Sequence, residues 1–471
     1  MRPQFSGRSG RARIYNRRPV RRILLVSAVL VIGVIAAGAI YYYQQTRTRE
    51  KRGSATVEFV TTAPALKKRP VKSIETVPWP TYGYDPARTH ATNQLNMRPP
   101  FRQLWTVRTW NTLEFPPVVG YGILFVTQLK GRFFAIDAAT GRTRWRKDFN
   151  HCAASSPTIG QDVVYQALMQ PWPCNRYPRT QRGFVVAMLV RDKNGRPITG
   201  RILWRFPAGA VETSPLLVDN VLYFGSWDHY LYALDVSHRK RPRLLWKFKA
   251  DNEIHSSPAY GSGLVYFGTD NGSVYALNAR TGGIQWRAQS FARFGRREYF
   301  YATPTIAYGR VFIGNTDGTL FAFGARTGHL LWARHAGTYV YTAAAVWRRK
   351  VYVGTWDGKV SAFDAGTGDT IWTFNAPSAV HGAPTVLNGI LYFSTCPHCG
   401  TGGSRYTKQG PRGTFGLDAR NGQVLWKFWD GQYSPVVADR ERLYVAGHTR
   451  LYGFEPLRKL AQKKPKLQKK P

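Results

Sequence analysis

Short apolar runs of strand length, separated by turns rich in Gly, Asn and Asp, fill this chain after residue 78, and the 3.6-residue period of a helix is scarce there. One stretch stands for many. Ser257-Pro258-Ala-Tyr begins a first strand, and Leu264-Val-Tyr-Phe-Gly268 reads as a second. Asn271-Gly272 is a hairpin turn whose positive-φ positions suit Asn and Gly. Val274-Tyr-Ala-Leu277 is a third strand, and Thr281-Gly282 turns the chain into a fourth carrying Trp286. Similar turns recur at Asp317-Gly318 and Asp357-Gly358. The fourth strand is marked each time by a tryptophan: Trp105, Trp145, Trp204, Trp246, Trp286, Trp332, Trp372 and Trp426. Three of the intervals between them are 40 residues, and the others are lengthened by insertions. Four short strands repeating at this period are the blades of a β-propeller.

Complete units end at Trp145, Trp204, Trp246, Trp286, Trp332, Trp372 and Trp426. The final segment supplies three strands, Ser434-Pro-Val-Val, Leu443-Tyr-Val and Leu451-Tyr-Gly-Phe454, while Phe101-Arg-Gln-Leu-Trp105-Thr-Val107 is a lone fourth strand. Joining the two makes an eighth blade and leaves no open sheet edge. An eight-bladed ring is therefore expected, with seven as the alternative should that blade not form. A tryptophan repeated in every blade needs a structural role. Packing between neighbouring blades, with small Ala135, Ala276 or Ala362 making room, supplies one.

The N-terminus has a different pattern. Residues 1–22 hold eight arginines and no acid, and Ile23 to Tyr43 has no charge over 21 residues, enough for one transmembrane helix. Tyr41, Tyr42 and Tyr43 suit an interfacial belt, and the arginines predict an N-terminus inside and a domain outside the cytoplasm. Ala37-Gly-Ala39 is a possible signal-peptide cleavage site, but the apolar run continues past it, which favours an anchor. Residues 44–78 then read as a flexible tether, 79–456 as the propeller, and 457–471 as a basic, disordered tail.

Net charge is +41, and about +21 of it falls on residues 79–456. A basic exported domain suits an envelope protein or an anionic envelope polymer as partner, although a generally arginine-rich proteome would produce the same excess. No nucleic-acid motif is present. The chain is expected to be a monomer or part of a hetero-complex.

The strings Ala135-Ile-Asp137-Ala-Ala-Thr140-Gly141-Arg-Thr-Arg-Trp145 and Ala362-Phe-Asp364-Ala-Gly-Thr367-Gly368-Asp-Thr-Ile-Trp372 resemble the tryptophan-docking repeat of the pyrroloquinoline quinone (PQQ)-like propellers, over roughly residues 79–456. Other copies depart from it. Asn278 and Gly324 replace the Asp, Gly416 and Asn421 replace the Ala and Thr of the seventh unit, the second lacks the Ala-x-Asp spacing, and the third replaces the turn with a basic stretch. The resemblance implies an all-β propeller and two functional classes: quinoprotein dehydrogenases that hold PQQ and calcium on the axis, and non-catalytic binding scaffolds such as the lipoprotein of outer-membrane protein assembly. The dehydrogenases carry two adjacent cysteines over the cofactor. This chain has no such pair, and the family's calcium-binding Glu and Asn and its catalytic Asp match no motif here. A membrane-anchored, non-enzymatic protein- or ligand-binding scaffold without cofactor or metal is expected, with a PQQ- and calcium-dependent oxidoreductase as the alternative.

Candidate site residues come from the start of the first strand, which faces the channel with the pattern x-S/T-S-P. The leading position gives a ring of Glu114, Ala154, Glu212, His255, Tyr301, Tyr341, His381 and Gln432. Two Glu, two His and two Tyr at one mouth suit a ligand, although this strand end is polar and solvated in any propeller. Cys152 and Cys174 fall in loops that share one face of the second blade and are expected to pair. Cys396-Pro-His-Cys399 reads as a loop-closing disulfide, with a zinc half-site or redox pair as alternatives. The basic run with Arg293, Arg296 and Arg297 is a candidate surface for an acidic partner, or an ordinary exposed loop.

Overall fold

The computed structural model describes residues 18–60, 75–174, 182–397 and 407–457. The chain divides into two compact units. The first contains helix α1 (Arg18–Thr46), whose segment Leu25–Thr46 is long and apolar enough to cross a membrane, and residues 292–296. Within that unit the Phe294 ring lies 6.1 and 5.9 Å from Tyr41 and Tyr42, and its backbone N–H donates to Gln45 Oε1 at 2.8 Å.

The second unit is the eight-bladed propeller. In blade 4 the strands are A (Ala259–Gly261), B (Leu264–Gly268), C (Ser273–Asn278) and D (Ile284–Gln289). Strand B and nearly all of strand C are buried, because neighbouring blades cover both faces; this is why they read as continuous apolar runs rather than alternating ones. Strand D is the outer strand and has mostly polar, exposed positions around buried Trp286.

The repeated string builds the contact between blades. Asp137 accepts the N–H groups of Ala139 and Thr140, and the Thr140 hydroxyl at 2.9 Å, closing a tight turn. Gly141 follows at φ +72°, and a Cβ there would lie 2.6 Å from the ring of Trp105, so the position requires glycine twice over. The indole of one blade thus seats on the Thr-Gly turn of the next. Its N–H donates to the carbonyl just after the turn's Asp, or the residue in its place, as in Trp105 to Ala138 (3.3 Å), Trp286 to Ala325 (2.9 Å) and Trp332 to Ala365 (3.1 Å). Blade 3, whose turn departs from the string, still offers Arg239 O to Trp204 at 3.1 Å. Within each blade the tryptophan sits opposite the small residue of strand C, as in Ala135 with Trp145, Ala276 with Trp286 and Ala362 with Trp372.

The ring closes as the sequence implies. Phe101–Arg108 pairs antiparallel with Arg450–Pro456 as the outer strand of blade 8. Strand A of that blade starts later than expected, at Val437, and the Ser434 hydroxyl before it donates to Leu113 O and Glu114 O. Strand A of blade 4 likewise starts at Ala259 rather than Ser257.

Two segments outside the repeats are built into this unit. Residues 49–60, within the stretch expected as a tether, lie along blades 5 and 6: Lys51 and Ala333 exchange backbone bonds, and buried Arg310 donates to Ser54 O, Val57 O, Ala365 O and Gly366 O. Residues 79–92 pass along the channel. Strand A is the innermost strand, so its inner edge has no strand partner, and the segment's carbonyls accept its N–H groups. Pro80 O takes Ile159 N–H, Pro86 O takes Tyr260, Ala87 O takes Ile306, Thr89 O takes Val346 and His90 O takes Val386, all at 2.7–2.9 Å. Ala91–Thr92 finishes as a short parallel strand on blade 7. Arg88 is buried, and its guanidinium reaches Ser214 O and Pro258 O, each at 3.0 Å, joining blades 3 and 4.

Candidate functional site

The Ser/Thr-Ser-Pro pattern positions the mouth. Its hydroxyls tie one blade to the next: Ser156 N–H donates to Ser214 Oγ at 3.0 Å, Ser214 N–H to Ser257 Oγ at 2.9 Å, and Ser256 Oγ to Ala302 O at 2.8 Å. This belt holds the residue just before it in each blade at the channel. Five positions further along, the same strands hold the axial segment, at Tyr260 after His255, Ile306 after Tyr301 and Val386 after His381. Tyr82 of that segment packs with Ala343, Ala383 and Phe115, next to Tyr341, His381 and Glu114, and so forms the floor of the mouth.

Two groups of polar side chains converge there. In the first, Glu212 is buried, accepts Trp227 Nε1–H at 3.1 Å, accepts the Tyr301 hydroxyl, and lies 3.5 Å from His255 Nε2. The other nitrogen of His255, Nδ1, is 3.0 Å from Asp270. Burial raises the Glu212 carboxyl above its ordinary range, and its polar partners only partly offset this. Burial alone would lower His255, but Glu212 and Asp270 on its two sides outweigh it and raise it. Tyr301 is pushed well above the ordinary phenol range by burial and by Glu212, and Tyr341 by burial, then Glu114 and Glu212.

In the second group, Glu114 faces His381 at 3.9 Å, too far for a hydrogen bond. Burial, and then Glu212, push the Glu114 carboxyl up to about 7. Burial lowers His381 to about 3, so it is neutral at physiological pH. Aromatic faces join the two groups. Ring centroids step from Trp227 to His255 (4.8 Å), to Tyr301 (4.6 Å), to Tyr341 (4.8 Å) and to His381 (4.2 Å), crossing blades 3 to 7.

Of the ring read from the sequence, Glu212, His255 and Tyr301 thus make direct contact, Tyr341 and His381 stack beside them, and Glu114 faces His381. Ala154 is buried and brings no polar group, and Gln432 is buried with its N–H bonded to Ala446 O. Trp227, Asp270 and Trp356 were missed. They share a signal, since each follows by two residues the glycine that ends strand B (Gly225, Gly268 and Gly354). Among the described residues no three His, Cys, Asp or Glu side chains gather closely enough to hold a metal ion.

Cys152 and Cys174 form a disulfide beside the mouth, in a buried cluster with Ala154 and Trp227. Cys396 is buried and oxidised, and Cys399 lies outside the described residues. Ala292–Arg293 and Arg296–Arg297 form a two-stranded hairpin, with Arg296 exposed and Arg293 and Arg297 half-buried.

The family model described as outer membrane protein assembly factor BamB, a PQQ-repeat model, matches residues 102–168, 238–346 and 337–458. A BamB of Nitrosomonas eutropha is 30% identical over 115 residues, which is 22% of this chain and 26% of that protein, so the match spans about a quarter of the relative's length. Among solved structures, BamB of Moraxella catarrhalis superposes with a TM-score of 0.56 at 15% identity, over 76% of this chain and 98% of that one. The quinohemoprotein alcohol dehydrogenase of Comamonas testosteroni superposes with a TM-score of 0.62 at 13% identity, over 80% of each chain. At such identities the two structures share the fold alone with this chain.

Proposed function

The chain belongs to the PQQ-repeat propeller family of the BamB model, and from that premise we propose that it is a membrane-anchored, non-enzymatic scaffold that binds a ligand or protein partner at the mouth of its channel. The helix Leu25–Thr46 would anchor it, with the arginine-rich arm inside and the propeller outside the cytoplasm. The observation that carries the reading is a mouth with a built floor. Behind Tyr82 the axial segment is bonded to the inner strands of several blades, while Glu114 and His381 face each other in front of it with no hydrogen-bond partner among the described residues. A mouth backed by such a segment and lined by polar groups that no described residue pairs suits binding more than passage. The basic run Arg293 to Arg297 is proposed as a contact for an acidic envelope partner.

The donor set weighs against the oxidoreductase alternative. PQQ is a polycarboxylate, and binding it calls for cationic or N–H donors. The mouth presents the carboxyls of Glu114, Glu212 and Asp270; its raised histidine, His255, is already flanked by two of them, and among the described residues no lysine or arginine bears on Glu114 or His381. This carboxyl-rich lining suits a polycarboxylate cofactor poorly.

The test places a photo-crosslinking residue at Trp429 or Trp172, both exposed in loops on the mouth side, and at Ile284 or Ile371 on outer strands, in the full chain in its native membrane. Discrete adducts from the mouth side alone support the scaffold. Equal labelling from both positions, or dye-linked turnover of an alcohol with PQQ and calcium, refutes it.

A further inference from the structure

The chemistry of the mouth narrows what it can accept. Glu114 has a side chain 21% exposed, and its carboxyl makes no hydrogen bond to any described residue. His381, 7% exposed, also makes none, and at 3.9 Å its imidazole is too far to donate to Glu114. A largely desolvated carboxyl whose only donors come from water is costly to ionise, and a ligand that supplies a donor recovers that cost. Glu212 adds to that cost, because two acids share the mouth and each disfavours ionisation of the other.

The remaining walls are ring faces. Tyr341 lies 4.2 Å from His381 and 5.9 Å from Trp356, centroid to centroid, and Tyr301 stacks on Tyr341. Aromatic faces carry negative quadrupole charge and attract cations. Trp356 also has a buried ring N–H with no partner among the described residues, a donor that calls for an acceptor beside the cationic head and not for the head itself. A carboxyl that no described residue pairs, set beside stacked rings, discriminates by charge. An anion would be repelled, a neutral alkyl group would leave Glu114 unpaired, and a group bearing several N–H donors and a positive charge would satisfy the acid and lie against the rings.

Resting on the reading of this mouth as the binding site, we propose that it accepts the cationic head of an organic amine or guanidine, with Glu114 as the principal charge partner and the Tyr301–Tyr341 stack as its wall. Such a head is carried both by free polyamines and by lysine or arginine side chains of a polypeptide. The positive charge supplies what the mouth lacks in a chain that is otherwise strongly basic.

Proton linkage gives an independent readout. Glu114 is half-protonated near pH 7, so a cation that needs the carboxylate displaces a proton. The titratable groups facing it are Glu212, Tyr341, Tyr433 and His381; the tyrosines are raised and His381 is lowered out of the neutral range. His255, on the far side of Glu212, loses charge as pH rises and so acts in the same direction. Apparent affinity should therefore rise about tenfold from pH 6 to pH 8.

The experiment is calorimetric titration of the full chain in detergent with n-butylammonium and n-butylguanidinium, against n-butanol and butyrate as neutral and anionic counterparts of the same stem. The expected result is saturable one-to-one binding of the cations, at least tenfold tighter than that of the alcohol or acid. Proton release should appear as a dependence of the heat on buffer ionisation enthalpy. Glu114→Gln should weaken binding at least tenfold and reduce its pH dependence. Cadaverine compared with N-acetyl-lysine methylamide separates a free amine from a polypeptide side chain, and a preference for either supports the proposal. Should butyrate or butanol bind as well as the amine, or should cation binding release no proton, the inference falls while the scaffold reading stands. Should no probe bind, it falls as well, and crosslinking from the mouth still decides the scaffold reading. The proton-release measurement needs no variant, so a misfolded Glu114→Gln does not remove the test.

Discussion

Replacing Glu114 by glutamine should make the protein more stable above neutral pH and leave it unchanged in acid. The carboxyl is held near 7 instead of its ordinary 4.5, first by burial and then by Glu212. The folded state therefore binds the proton more tightly than the unfolded chain, and the sign follows from that difference. Below about pH 4.5 the group is protonated in both states and costs nothing. Between there and 7 the folded chain holds a proton that the unfolded chain has released, so stability falls as pH rises, and above 7 the whole penalty is present. A shift of this size corresponds to about 3 kcal/mol, as an upper bound for a side chain that retains some solvent contact. Glutamine keeps the shape and does not titrate. Thermal unfolding of the full chain and the variant, followed by tryptophan fluorescence at unit steps from pH 4 to 8, should give coincident midpoints at pH 4. By pH 8 the variant should melt a few degrees higher. A difference between the two that stays constant across the series, or an advantage confined to acid, would refute the burial argument. A position that weakens the fold at working pH is what a preformed binding site requires, since a ligand can recover the cost.

Further predictions concern the frame. Trp286→Phe and Tyr266→Phe each remove one of two hydrogen bonds to Ala325 O, at 2.9 and 3.0 Å, and should cost about 1 kcal/mol apiece in urea unfolding. The double variant leaves that buried carbonyl unpaired, so its loss should exceed the sum by about 1 kcal/mol; strict additivity would show that the carbonyl finds another partner. Arg88→Leu should destabilise by about 3 kcal/mol or more, because carbonyls of blades 3 and 4 lose a shared buried donor, and Arg88→Lys should recover little, since a point charge cannot span them; an unchanged melting midpoint would separate the axial segment from propeller stability. The Cys152–Cys174 bond closes a loop with a sequence separation of 22, so Cys152→Ser with Cys174→Ser should lower stability by about 3 kcal/mol. In the parent neither thiol should react with maleimide after denaturation until a reductant is added, and labelling before reduction would rule the bond out.

What could be read from the sequence was what each blade does locally. Strand runs, Asp-x-x-Thr-Gly turns and the tryptophan after them are contiguous, and the turn geometry depends on residue type: Asp137 must accept at Ala139 and Thr140, and Gly141 must adopt positive φ under an indole. Repetition then determined the ring, and the orphan strand at Phe101 determined how it closes. The positions that line the mouth followed from the same register, because every blade offers the same strand end to the channel.

Tertiary structure alone decided which of those positions meet. Tyr301 reaches Glu212 two blades away, and Glu114 faces His381 across blade 8, and no spacing along the chain encodes such contacts. Asp270 and Trp227 complete the His255 site from strand ends that the pattern distinguishes only once the ring is assembled. The axial segment was least legible. It is held largely by its backbone carbonyls on backbone N–H groups, a bond that any residue except proline can donate to and every residue can accept, so pairing of this kind leaves almost no trace in side-chain identity. Blade geometry is a local property written in residue type, whereas the floor and the charge balance of the mouth arise from convergence, and convergence exists only in the folded ring.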